Sequence, residues 1–124
     1  MLHGVPGLCI SREKPDKLIQ HSIPKEKIVV MSSAPMEGFE TIDDLQKVSM
    51  RISDFLKENK GSVIMLDGLT YLISRSSFET VYKFIQEKRF SFIEPKANLL
   101  IPLDLATLTE KERALLISEV KLLG

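Results

Sequence analysis

The chain has 124 residues, 44% hydrophobic and 27% charged, which suits one domain with a single core and an ordinary charged surface. Lys+Arg and Asp+Glu number 17 each, so the net charge is zero and no basic stripe stands out; this speaks against nucleic-acid binding, whose affinity rests on phosphate contacts. The single cysteine, Cys9, excludes an internal disulfide and a cysteine-rich zinc site.

No apolar stretch is long enough to span a bilayer, and "MLHGVPGLCISREK" lacks the pattern of a signal peptide. One free cysteine in an apolar run fits a reducing compartment, so a cytoplasmic protein is expected. Residues 1–124 read as one α/β domain. Its first strand begins at once, which suggests a domain cut from a longer signalling protein or a minimal stand-alone copy.

In chain order, "GLCIS" (7–11) is an apolar strand after a turn glycine. Pro15 then opens a short helix to about His21, at the first-turn position that tolerates proline. "KIVVM" (27–31) is a β-branched strand, and "SSAPMEGFE" after it is the longest irregular stretch. Thr41 with Asp44 reads as a capping box. The helix it opens carries Ile42, Leu45, Val48, Ile52, Phe55 and Leu56 on one face, ending before Gly61.

"SVIMLD" (62–67) is continuously apolar, as expected of a strand buried on both faces, and a helix begins in "GLTYLI". Ser76 with Glu79 reads as a second box, before a stripe of Phe78, Val81, Tyr82 and Ile85. "NLLIPLD" (98–104) is a strand that Pro102 must end or push to an edge. Thr109 with Glu112, or Thr107 with Glu110, opens a last helix with Leu116, Val120 and Leu123 on one face. The alternation predicts a three-layer α/β/α fold with a mainly parallel sheet of about four strands, and ligands beyond the carboxyl ends of those strands.

At one such end Asp67 invites comparison with the magnesium-binding aspartate of phosphate-loop ATPases. The companion motif, a glycine-rich cradle ending in Lys-Ser/Thr, is missing. The first strand is followed by "REKPDKLIQ", which has no glycine, and Pro15 removes an amide. The other reading makes Asp67 the cap of the "GLTYLI" helix, with Gly68 supplying the tight turn. Tyr71 either hydrogen-bonds Asp67 or packs with its hydroxyl at the surface. His3 and His21 are far apart, so no histidine metal site or Ser-His-Asp relay is supported. Glu37 and Glu40 fit a solvated loop better than a pair of bases. Met36 and Phe39 on that loop fit a partner-binding tip or packing onto the sheet equally well. The Phe78, Tyr82, Phe84, Phe90 and Phe92 group is mostly core by spacing.

Several blocks together resemble an archaeal family, domain of unknown function 835. They are Gly7, Leu8, Ser11, Arg12 and Pro15; then Leu66, Asp67, Gly68, Tyr71 and Leu72; then Pro102 and Asp104. "VVMSS" and Ser76-Ser77 depart from the family's tryptophan-leucine and asparagine-glycine. The resemblance covers nearly the whole chain. It implies an unassigned role, fusion to signalling modules, and a remote, phosphate-loop-less kinship to the RecA/KaiC-type ATPase core with a RecA-like strand order. The expectation is therefore a non-catalytic regulatory or protein-interaction module that joins a protein partner or a second copy of itself. It needs no cofactor or metal. The alternative is a nucleotide- or small-anion-binding domain. The expected surface is Ser11, Arg12, Asp67, Gly68, Tyr71 and Asp104, with Arg12 and Asp67 paired across neighbouring strands.

Overall fold

The computed structural model describes residues 6–20, 23–102 and 108–119. Five strands form one all-parallel sheet: β1 (Gly7–Ser11), β2 (Ile28–Met31), β3 (Glu40–Ile42), β4 (Val63–Asp67) and β5 (Asn98–Leu100). Their order is β3-β2-β1-β4-β5. "GLCIS" is buried along its whole length because it forms the middle strand, paired on both sides and covered on both faces. The helices are α1 (Pro15–Gln20), α2 (Leu45–Glu58), α3 (Leu69–Arg75), α4 (Phe78–Ser91) and α5 (Glu110–Glu119).

The period-2 alternation of the strands sorts their side chains into two unequal cores. Leu8, Ile10, Val29, Met31, Ile64 and Leu66 pack with Val48, Ile52, Leu72, Val81, Ile85 and Leu116 from α2, α3, α4 and α5. On the opposite face Cys9, Ile28 and Val30 meet Leu18 of α1, Ile23, Phe39 and Met65. The result is a three-layer α/β/α fold with most of its helix mass on one side. Each fully buried aliphatic of the larger core contributes roughly 1.5–3 kcal/mol.

The sheet has one strand more than the sequence pattern suggests. β3 is cut from the end of the expected loop and the start of the expected helix: Glu40, Thr41 and Ile42 pair with Val29, Val30 and Met31. It is too short for an alternation signal, and no helix precedes it, since residues 32–39 return the chain on their own. Phe39 of that loop packs into the smaller core, while Met36 remains 37% exposed. The helix that follows is capped by Asp44, whose Oδ1 accepts from Lys47 N at 2.8 Å, and not by Thr41. Ser76 and Ser77 divide the labour given above to Ser76. Ser76 closes α3 through its amide and its Oγ, which donates to the Leu72 carbonyl at 2.9 Å. Ser77 caps α4 through Thr80 N. The box at α5 forms as read, with Thr109 and Glu112 bonding each other's amides. β5 stops before Pro102, as a residue without an amide proton requires.

The order of the strands is that of a doubly wound sheet, whose direction reverses between β1 and β4. This order does not by itself show a RecA-like kinship. It does make β1 and β4 neighbours, and it brings their carboxyl ends to the switch point where such sheets hold ligands.

Candidate functional site

Register builds the site. Ser11 stands opposite Asp67 in the β1–β4 ladder, and Arg12 N donates to the Asp67 carbonyl at 3.1 Å. The two side chains of that pair lie on the face of Cys9 and Met65. There the fully buried Ser11 Oγ donates to Asp67 Oδ2 at 3.1 Å and accepts from Glu13 N at 2.9 Å. The serine thereby ties the end of β4 to the turn that leads into α1. With its hydroxyl buried and engaged, Ser11 is a structural bridge and not an accessible nucleophile. Burial, and next the negative charge of Asp67, push the Cys9 thiol up to about 11. Cys9 is thus a protonated, inert core residue.

Arg12 turns to the other face. Its Nη1 donates to the Met31 carbonyl at 2.8 Å, and its Cζ lies 4.0 Å from the centroid of the Tyr71 ring. An exposed cation over such a ring is worth about 0.5–1 kcal/mol. Gly68 makes this pose available. Its φ of 135° is one that side-chain-bearing residues rarely adopt, and a Cβ there would stand 2.9 Å from Arg12 Cγ and 3.0 Å from Met31 Sδ. Arg75 also approaches the ring, with Cζ 5.8 Å from the Tyr71 centroid and Nη2 3.8 Å from Asp43 Oδ2. Asp43 is also 3.8 Å from Lys47 Nζ.

The expected residues that are described are therefore collected at one edge but divided between its faces. Ser11 and Asp67 form one pair, and Arg12, Gly68 and Tyr71 form another group. The expected Arg12–Asp67 ion pair is not made. The residues meet through their backbones, and the strand's alternation sends their side chains apart. Nor is Asp67 the cap of α3: Gly68 holds that position, and the carboxylate is drawn to Ser11. Tyr71 serves Arg12 rather than Asp67. Asp104 lies outside the described residues, as do His3 and His21.

Elsewhere, Glu40 is committed to Arg51 at 2.8 Å and Glu37 is exposed in a turn. Of the aromatic group, Phe78 and Tyr82 stack at 5.8 Å, Phe84 and Phe92 are buried, and Phe90 alone is well exposed at 63%. Among the described residues no cluster of three or more His, Cys, Asp or Glu could hold a metal ion. No described helix is long and apolar enough to cross a membrane. Sequence reasoning missed the parts played by Met31 and Arg75. A backbone carbonyl has no sequence signature, but the spacing of Tyr71 and Arg75, four residues apart on one helix, was available as a signal.

No curated protein matches the chain. The profile of one family, described as a protein of unknown function (DUF835), matches residues 1–120. Those residues include the strand ends, Gly68 and the Tyr71 platform, so the chain belongs to the DUF835 family.

Proposed function

We propose that this domain is a non-catalytic regulatory or protein-interaction module, serving archaeal signal transduction, and that its contact surface is the carboxyl edge of β1, β2 and β4. The observation that carries this reading is the exposed Arg12 guanidinium held over the Tyr71 ring at the switch point. Arginine and tyrosine are the side chains most often found as interface anchors. Here both are positioned in advance, by the Met31 carbonyl and by the glycine beneath, so little ordering entropy remains to be lost on contact. The Ser11–Asp67 pair stiffens the same edge from its other face. The partner is a protein, either another chain or a second copy of this one, and the setting is the cytoplasm.

The test is co-purification from native cells together with sedimentation velocity across concentration. Association is expected to be retained in Asp67→Asn and lost in Tyr71→Ala. A chain that stays monomeric and carries no partner refutes the module. Calorimetric titration with ATP, ADP and GTP, with and without magnesium, addresses the second reading, a nucleotide- or anion-binding relative of the RecA-like ATPases. The observation favouring that reading is the β1–β4 switch point itself. Micromolar, magnesium-dependent binding would replace the first reading with the second.

A further inference from the structure

We infer that Arg12 is an oxyanion receptor: the chemical group recognised at this edge is a carboxylate or phosphate, taken side-on by the Nε and Nη2 edge of its guanidinium. The inference deepens the interaction reading above and rests on it for the location of the surface.

Arg12 is exposed at the switch point, yet it makes no ion pair among the described residues. Its neighbours do: Arg75 has Asp43, and Asp43 also has Lys47. Among the described residues, the one hydrogen bond of the Arg12 side chain uses Nη1, on the Met31 carbonyl. That choice of nitrogen matters. Nη1 lies on the side of the guanidinium that faces back along its own stem, whereas Nε–H and Nη2–H point the same way and form the two-toothed edge that matches a planar oxyanion. Met31 thus fixes the arginine by the nitrogen that such an edge does not need.

The remaining contacts hold the fork in place. The ring of Tyr71 lies 4.0 Å below Cζ, and Gly68 leaves room for the stem, since any Cβ there would meet Arg12 Cγ. The carboxylate that would compete for the fork, Asp67, is held on the opposite face by Ser11. Arg75, near the same ring, is paired with Asp43 and is not the primary donor. A lysine would supply the charge at this position but not the paired donors or the flat stacking.

The test uses the isotope-labelled chain and nuclear magnetic resonance of the Arg12 side-chain Nε–H and the Gly68 amide. The probes are sodium phosphate, sodium acetate and a poly-glutamate peptide, each compared with sodium chloride at matched ionic strength. Saturable millimolar shifts at Arg12 and Gly68 with an oxyanion, and none with chloride, are expected. Arg12→Lys should weaken the response of Gly68 by about tenfold, through loss of the paired fork, and Arg12→Gln should abolish it with the rest of the spectrum unchanged. Tighter binding of the peptide than of acetate assigns the oxyanion to acidic side chains of a protein partner. Phosphate binding without peptide binding upholds the receptor while setting aside the protein-interaction reading. Shifts that follow ionic strength alone, or that persist in Arg12→Gln, overturn the inference. A partner bound at this edge with the Arg12 resonance unmoved also overturns it, and leaves the interaction reading intact.

Discussion

Replacing Gly68 with alanine tests the geometry of the edge directly. The backbone φ of 135° is unfavourable for any residue with a Cβ, and holding a residue in such a region costs about 1–3 kcal/mol. The stiffer unfolded chain of an alanine variant returns only about 0.4–1 kcal/mol of this. The new Cβ would also stand 2.9 Å from Arg12 Cγ and 3.0 Å from Met31 Sδ. Neither atom is the free end of its side chain, so relief means lifting Arg12 off Tyr71 or shifting a core methionine, an overpacking term of about 1 kcal/mol or more. The expected net loss is about 2–3 kcal/mol. It should appear in urea unfolding as a lower midpoint with an unchanged slope. A cycle with Arg12→Ala separates the two terms, because removing the arginine clears the nearest contact and leaves the backbone strain. Gly68→Ala should then cost less in the Arg12→Ala background, by ~0.5–1 kcal/mol. A Gly68→Ala protein within ~0.5 kcal/mol of the parent, or one with the same cost in both backgrounds, would refute the described packing of Arg12 over Gly68.

Three further outcomes follow from the local chemistry. Asp44→Ala should cost about 1 kcal/mol through loss of the α2 cap, and thermal unfolding should show a smaller effect for Thr41→Ala, which sits in β3 and caps nothing; the reverse ranking would restore the capping box expected from the sequence. Lys88 is 8% exposed, and its Nζ bridges to Ser53 Oγ at 2.5 Å from α4 to α2. Burial holds its pKa below the ordinary 10.5, so the unfolded chain binds more protons between the lowered value and 10.5 and stability rises with pH across that window. Lys88→Met should remove this rise and be neutral or stabilising at neutral pH; urea midpoints against pH that keep their slope in the variant would contradict it. Cys9 has the opposite sign. Its thiol pKa is raised from 9.0 to about 11, so the stability it contributes is complete below about 9 and lost as pH climbs through about 11. The difference between parent and Cys9→Ala should change by about 2–3 kcal/mol over that window, and a pH-independent difference would show that the thiol is not shielded.

Much of the architecture was legible in the residues. Continuous apolar runs at 7–11 and 62–67 became neighbouring strands; β1 is buried on both faces, as such a run predicts, whereas β4 is fully buried on one face only, with Val63, Met65 and Asp67 half-buried on the other. The stripe from Leu45 to Leu56 and the box at Thr109 also appear where the periodicity puts them. The misses cluster where two local signals compete. Thr41 and Asp44 are both good caps, and the open edge of β2 decided between them by taking Thr41 into the sheet. Ser76 and Ser77 are adjacent candidates, and the end of α3 claimed the first.

The candidate site shows the same division. Composition and order along the chain were enough to collect Ser11, Arg12, Asp67, Gly68 and Tyr71 at the carboxyl edge of a parallel sheet, since residues at the ends of parallel strands must gather there. Whether Arg12 meets Asp67 or Tyr71 is a matter of register and face. One residue of slip would exchange every side chain between the two faces, and only the assembled sheet sets that register. Local sequence alone therefore determined the elements and the edge. The tertiary structure decided which charged group is tied down by a neighbouring hydroxyl, which is left facing outward on its aromatic support, and why a glycine must lie beneath it.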